Sequence, residues 1–81
     1  MNKRLGVVAI IVEDQESVEM VNKVLSSFGE IIVGRMGVPY KEKHVAVISV
    51  IVDGSTDDIG ALTGKLGKIN GVVVKSALTK K

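Results

Sequence analysis

The order of apolar and amphipathic segments in this chain predicts an α+β fold. Four β-branched segments and two segments of helical spacing follow one another as strand, helix, strand, strand, helix, strand. The two strand–helix–strand halves are similar in length, and no linker or low-complexity tract separates them. A chain of 81 residues is sufficient for one domain. We therefore expect residues 1–81 to form a ferredoxin-like βαββαβ sandwich, a four-stranded antiparallel sheet with two helices on one face.

The first half is predicted to contain a strand, a helix and a second strand. Lys3–Val12 is almost continuously apolar, as expected of a central strand that is covered on both faces. Helical spacing predicts an amphipathic helix over Glu16–Phe28, with Asp14 as its cap and Gly29 as its stop. Glu30–Pro39 is the second strand. Its glycines indicate a bulge or a close approach to the backbone, and its proline confines its end to a sheet edge or a turn.

The second half repeats this order. It is predicted to contain a strand over His44–Asp53, a turn at Asp53-Gly54, a helix that closes at Asn70-Gly71 and a strand over Val72–Leu78. Ser55 or Thr56 is expected to cap the second helix. Between the two halves, Tyr40–Lys43 is expected to be a charged loop.

The central strands are apolar on both of their faces. Seven of the eight residues in Val45–Val52 are apolar, and Gly6 is the only exception in Leu5–Val12. The helices of a two-layer sandwich cover only one face of the sheet, so the other face should alternate with polar residues. We therefore expect another subunit to pack on this face or along an edge of the sheet, in a homo-oligomer that is a dimer or a tetramer. The alternative is an exposed sheet face that is simply apolar.

Composition excludes several classes of function. The chain has no cysteine, which excludes disulfides, zinc–thiolate sites and cysteine nucleophiles. Its 11 basic and 9 acidic residues give a mixed surface, so direct nucleic-acid binding is not expected. The apolar run Leu5–Val12 is too short to cross a bilayer, so we expect a cytoplasmic protein without a membrane partner. No nucleophile–base pair is evident, so we expect neither an enzyme nor a cofactor or metal site.

The second helix carries a row of glycines at helical spacing, Gly60, Gly64 and Gly67. Each interior glycine costs about 0.5–1 kcal/mol relative to alanine, so close approach of a neighbouring chain or a ligand is one explanation. A poorly optimised surface is the other. The segment Gly60–Lys65 is not a phosphate-binding loop, because its spacing is one residue short and Leu66 replaces the magnesium-binding hydroxyl.

Two clusters of polar residues are candidate sites. Arg35, Tyr40 and His44 form a basic, partly aromatic patch with Lys41 and Lys43, and would suit an anionic ligand or an acidic partner. The alternative is a solvated loop, and a lone histidine is a poor metal site. The second cluster contains Asp53, Asp57 and Asp58, which suit either a divalent cation or, more simply, the capping of a helix.

Several stretches resemble the family of iron-only hydrogenase system regulators, a bacterial family found mostly in anaerobes. They are Gly34–Tyr40, Val47–Gly67, Gly71-Val72 and Val74–Leu78, and they cover nearly the whole chain. The order of elements is also similar to ACT-type regulatory domains and to the C-terminal sensor domain of the nickel-responsive repressor. The first resemblance implies a regulator, and the second implies a small effector bound at a subunit interface. The connection Glu13–Glu16 lacks the glycine typical of ACT effector loops, and the histidine and cysteine ligands of the nickel sensor are absent.

These observations together predict a non-catalytic, oligomeric regulatory module of ACT-like fold. It would bind a small-molecule effector at a subunit interface or signal to a partner protein. The residues expected to contribute are Arg35, Tyr40 and His44 at the hairpin, and Thr56, Asp57, Gly60 and Gly64 at the second helix. Two alternatives remain at this point: a structural assembly subunit without a ligand, and a DNA-associated repressor, which the charge distribution disfavours.

Overall fold

The computed structural model describes residues 3–80. Its elements are β1 (Lys3–Val12), α1 (Val18–Ser27), β2 (Ile32–Tyr40), β3 (Val45–Ser55), α2 (Thr56–Gly67) and β4 (Val72–Leu78). The strands form one sheet in the order β2-β3-β1-β4, and every neighbouring pair is antiparallel. The predicted α+β fold, a ferredoxin-like βαββαβ sandwich, is confirmed. The start of β1 and the end of β4 are neighbours, with Gly6 opposite Leu78.

The core lies between one face of the sheet and the two helices. Its strand residues come from alternate positions of the two central strands, and its helix residues come from one side of each helix. The members are Val8, Ile10, Val12, Ile48, Val50, Val52, Val21, Leu25, Ile59, Leu62 and Leu66. Burying each such side chain contributes roughly 1.5–3 kcal/mol. Both helices are therefore held on the same face by a common set of apolar contacts.

The helices begin and end at different residues from those that the sequence indicates. Residues 15–17 form a 3-10 turn, so α1 begins at Val18, and the Asp14 carboxylate caps that turn by accepting a 3.0 Å hydrogen bond from the Glu16 amide. α2 ends at Gly67, so the predicted closure at Asn70-Gly71 is wrong. Gly71 has a φ of 75° and instead forms the turn into β4.

The predicted turn at Asp53-Gly54 is also wrong, because β3 continues through it to Ser55. β1 starts at Lys3 and supplies pairing partners along the whole of this extension, with Arg4 opposite Gly54. Gly54 is needed for packing, since an added Cβ would lie 2.9 Å from Cγ2 of Ile31. Ser55 is confirmed as the cap of α2, and its hydroxyl accepts a 3.0 Å hydrogen bond from the Asp58 amide.

β2 is an edge strand with a bulge, as its glycines and proline indicate. Its pairing with β3 shifts between Ile32 and Gly34, which leaves Val33 as an extra residue that is 67% exposed. The strand continues to Tyr40, one residue into the predicted loop, because Tyr40 pairs with Val45. A 3-10 turn over residues 41–43 and His44, with a φ of 55°, then close the hairpin.

Within residues 3–80, neither helix is long and apolar enough to cross a lipid bilayer.

Candidate functional site

The seven residues predicted for the site fall into two groups. Tyr40 and His44 lie at the start of β3, and Arg35 lies farther back on β2, opposite Val50 in the middle of β3. The residues of α2, namely Thr56, Asp57, Gly60 and Gly64, follow the end of β3. An 11-residue strand separates the two ends by about 30 Å. The described residues of a single chain therefore offer two separate candidate sites.

A groove runs between α1 and the edge strand β2, and we call it the α1–β2 groove. Its wider part, at the end of the hairpin, has a volume of about 270 Å³ and is lined by Gln15, Val18, Pro39, Tyr40, Lys41, Val45 and Ala46. It continues along α1 past Asn22, Arg35, Gly37, Val38 and Ile48, and the two parts share Val18, Pro39 and Ala46. Two of the predicted residues, Arg35 and Tyr40, therefore line one continuous groove.

Arg35 is positioned in this groove by the register of the sheet. It lies opposite Val50, whose side chain points into the core, so Arg35 is on the helix side of β2. Its Nη2 atom donates a 2.6 Å hydrogen bond to Oδ1 of Asn22 on α1. The guanidinium has further N–H groups that an anion can accept from. The hydrogen bond thus holds a positive charge at the wall of an otherwise apolar groove.

The groove combines apolar walls with a few polar groups of defined position. Val18, Pro39 and Ala46 supply the apolar surface. Tyr40 and Lys41 line the groove at the end of the hairpin. Such a combination suits a small molecule with an apolar body and an anionic group. His44 is not among the lining residues, and its amide instead donates to the carbonyl of Lys41 at 3.2 Å, within the hairpin turn.

Sequence reasoning missed the α1 side of the groove. Gln15, Val18 and Asn22 line it, and they are spaced i, i+3 and i+7 along the chain. That spacing places residues on one side of a helix, so the two polar residues beside the apolar core face, Gln15 and Asn22, were visible in the sequence. Their role in a groove follows only once β2 is known to lie beside α1.

Thr56 and Asp57 are exposed in the first turn of α2. The Asp58 amide bonds to the Ser55 hydroxyl, and the two carboxylates of this turn lie at the positive end of the helix dipole. Among the described residues, no group of three His, Asp or Glu side chains could hold a metal ion. Asp57 and Asp58 therefore complement the helix dipole, whereas Asp53 belongs to β3 and the cap itself is the hydroxyl of Ser55.

Gly60 and Gly64 lie on the exposed side of α2, beside the edge strand β4. Together with Gly67 they line a shallow groove whose other wall is Val72, Val74, Lys75 and Ser76. A Cβ added at any of the three glycines would meet no heavy atom of the chain within 4 Å. The packing of the described chain therefore does not require glycine at these positions, and both explanations for the row stay open.

Comparison with known proteins identifies the family and the fold. Residues 4–76 match the family model described as "TM1266-like: Iron-only hydrogenase system regulator, putative". The structure of uncharacterized protein TM1266 from Thermotoga maritima is 39% identical, covers 98% of this chain and 100% of its own, and superposes with a TM-score of 0.92. A search of the curated proteins finds no match.

Two further structures share the fold at lower identity. The ACT domain of GTP pyrophosphokinase from Chlorobium tepidum is 22% identical over 94% of this chain and 100% of its own, with a TM-score of 0.79. A PII-like signaling protein from Thermus thermophilus is 18% identical over 98% of this chain and 90% of its own, with a TM-score of 0.66. The match to the family model spans most of the sequence, and the fold agrees with it, so the chain belongs to the iron-only hydrogenase system regulator family.

Proposed function

We propose that this chain is a non-catalytic, homo-oligomeric regulatory module that binds a small anionic effector in the α1–β2 groove. Residues 1–81 would act as a single ACT-like domain in the cytoplasm, with a regulatory role in the iron-only hydrogenase system. The observation that carries the proposal is the Arg35 guanidinium, held by Asn22 at the wall of an apolar groove. Family membership supports the regulatory role, and the ACT-type and PII-like folds are consistent with it.

The effector would be bound where two subunits meet. In the described sheet, β2 has a strand neighbour on one side only, so its outer backbone groups are free to pair with a second chain. A subunit added along this edge would cover the exposed side of the groove and enclose the ligand. Binding would then favour association, because a ligand stabilises the state that it binds best.

A thermal-unfolding screen tests the effector proposal. The full chain is heated with amino acids, nucleotides, small carboxylates and metal salts, and unfolding is followed by circular dichroism. A ligand at 100 times its Kd should stabilise the folded state by about 2.7 kcal/mol. We expect a carboxylate- or phosphate-bearing compound to raise the melting temperature, and Arg35→Gln to reduce that rise.

The matched control is Lys43→Gln. It removes the same charge from the same hairpin, at a residue that does not line the groove. We expect Lys43→Gln to keep the full stabilisation by the ligand. Equal losses in both variants would show that general surface charge, and not the groove, attracts the compound. The absence of stabilisation by every compound would contradict the effector proposal and favour the assembly subunit, whose basis is the apolar sheet face described next.

A further inference from the structure

The face of the sheet that the helices leave open is almost entirely apolar. The register places Val38, Val47, Ile11 and Val73 in one row that crosses all four strands. A second row contains Ile51, Val7 and Ala77, and between the two lie Met36, Ser49, Ala9 and Lys75. The large apolar side chains of these rows are between 39% and 68% exposed. We call this surface the open face.

The open face is uneven as well as apolar, with a ridge between two hollows. Ile51 borders two hollows, one of about 310 Å³ beside Met36 and one of about 380 Å³ beside Leu5 and Leu78. A ridge between two hollows can interlock with an identical surface, because each ridge fits a hollow of the other copy. This self-complementarity is what a two-fold symmetric contact requires.

The chain exposes a large area for its mass. A compact monomer of 8.6 kDa should expose about 4,700 Å², and this chain exposes 5526 Å². A standard protein–protein interface buries ~800 Å² of each partner. Monomers rarely leave continuous apolar patches of more than a few hundred Å² in contact with water.

The charges of the open face favour a second copy over other partners. Among the described strand residues, those on this face with a charge are Lys3, Asp53 and Lys75, and Arg35 on the edge strand borders the hollow beside Met36. Charges of mixed sign that are spread over the four strands give no strong attraction to nucleic acid, to anionic lipid or to a highly charged peptide. An identical chain needs no such attraction, since the energy of association comes from the apolar rows.

We propose that the open face packs against the open face of a second copy of this chain, in a two-fold dimer with the Ile51 ridge of each copy in a hollow of the other. The inference rests on the homo-oligomeric part of the proposed function and is independent of the effector. In this proposal, the subunits associate through the open face when no ligand is bound. The β2 edge stays available for ligand-dependent contacts.

Light scattering after size-exclusion chromatography tests the dimer on the full chain without ligand. We expect a mass of twice 8.6 kDa, or a multiple of that, at micromolar concentration. Ile51→Asp and Ile11→Asp place a charge in the apolar rows and should give a single-chain mass. Met20→Asp is the matched control, because Met20 is 57% exposed on α1 and should keep the mass of the unmodified chain.

A second measurement avoids variants that fail to fold. The chain has no cysteine, so one introduced thiol reports local accessibility. We expect Val47→Cys on the open face to be alkylated about tenfold more slowly than Met20→Cys, after each rate is normalised to the urea-unfolded chain. Equal rates in a folded chain would overturn the proposal.

The outcomes distinguish a failure of the open-face interface from a failure of homo-oligomerisation itself. A single-chain mass for the unmodified protein without ligand overturns this inference, and a single-chain mass that persists with a stabilising ligand also overturns the homo-oligomeric part of the proposed function. An oligomer that withstands both Ile51→Asp and Ile11→Asp overturns the open face alone. Dissociation by the open-face variants together with slow alkylation of Val47→Cys supports it.

Discussion

The hydroxyl of Ser17 donates a 2.7 Å hydrogen bond to the backbone carbonyl of Asn70, which is 53 positions away in the chain. Among residues 3–80, Ser17 is the polar residue that is buried, with 8% of its surface exposed. The bond joins the start of α1 to the turn that precedes β4. It therefore links the two halves of the molecule at a point outside the apolar core.

Replacing Ser17 with alanine should destabilise the fold measurably. The Asn70 carbonyl would lose its donor at a partly buried position, and we expect a loss of about 1–2 kcal/mol in the free energy of unfolding. Urea denaturation gives this value. Ser27→Ala is the control, because Ser27 makes an equally short but exposed bond to the Val24 carbonyl, which water can replace. A Ser27→Ala loss as large as that of Ser17→Ala would contradict this explanation.

Gly71 should not tolerate a side chain. Its φ is 75°, and an added Cβ would lie 2.6 Å from Cβ of Asp14. Its carbonyl also accepts a 2.7 Å hydrogen bond from the Glu13 amide, so the backbone cannot easily move away. We expect Gly71→Ala to lower the free energy of unfolding by about 2 kcal/mol or more in urea titrations. A neutral result would show that the contact with Asp14 relaxes freely.

Replacing a glycine of the row on α2 with alanine should stabilise the fold, in contrast to Gly71→Ala. An added Cβ at Gly60 or Gly64 meets open space, and alanine favours the helix over glycine. We expect each substitution to raise the stability of the chain by about 0.5–1 kcal/mol. Light scattering on the same variants distinguishes the two explanations for the row. An unchanged oligomer mass indicates a poorly optimised surface, whereas a reduced mass indicates that a neighbouring chain approaches the helix there.

Removing the Ser55 hydroxyl, which caps α2, should destabilise the fold, whereas removing the neighbouring hydroxyl should not. Ser55→Ala removes the acceptor of the Asp58 amide, and we expect a loss of about 1 kcal/mol in the free energy of unfolding. Thr56→Ala changes the exposed hydroxyl of the next residue and should change stability by less than half of that. If Thr56→Ala were the more damaging change, the cap would be misassigned.

The sequence was sufficient to predict the bounds of an element where those bounds depend on neighbouring residues alone. The bounds of β1 and β4 were predicted correctly, because each is a β-branched run between polar or glycine breaks. The end of β3 was not, because the Asp53-Gly54 pair has the composition of a turn. Its conformation is decided by β1, which pairs with these residues, and by Ile31, which fills the space beside Gly54.

The candidate site was predictable in part for a similar reason. Arg35 and Tyr40 are conspicuous in a short hairpin with few polar side chains, and both line the α1–β2 groove. Asn22 is an ordinary polar residue of an amphipathic helix until the sheet register brings Arg35 next to it. No sequence spacing relates residues on a helix to residues on an edge strand that folds beside it.

The pairing of β1 with β4 determines how the chain has to fold. The Thr79 amide donates to the Leu5 carbonyl at 2.8 Å, so strands from opposite ends of the sequence must meet before the sheet is complete. Contacts of such high contact order slow folding, because a long loop must close before they form. A circular permutant that is opened in the 41–43 turn, with the original ends joined by a short linker, would make the β1–β4 pairing local and the β2–β3 pairing long-range. It should keep the same sheet, with β2 in place of β4 as the edge strand whose pairing needs the closure of a long loop.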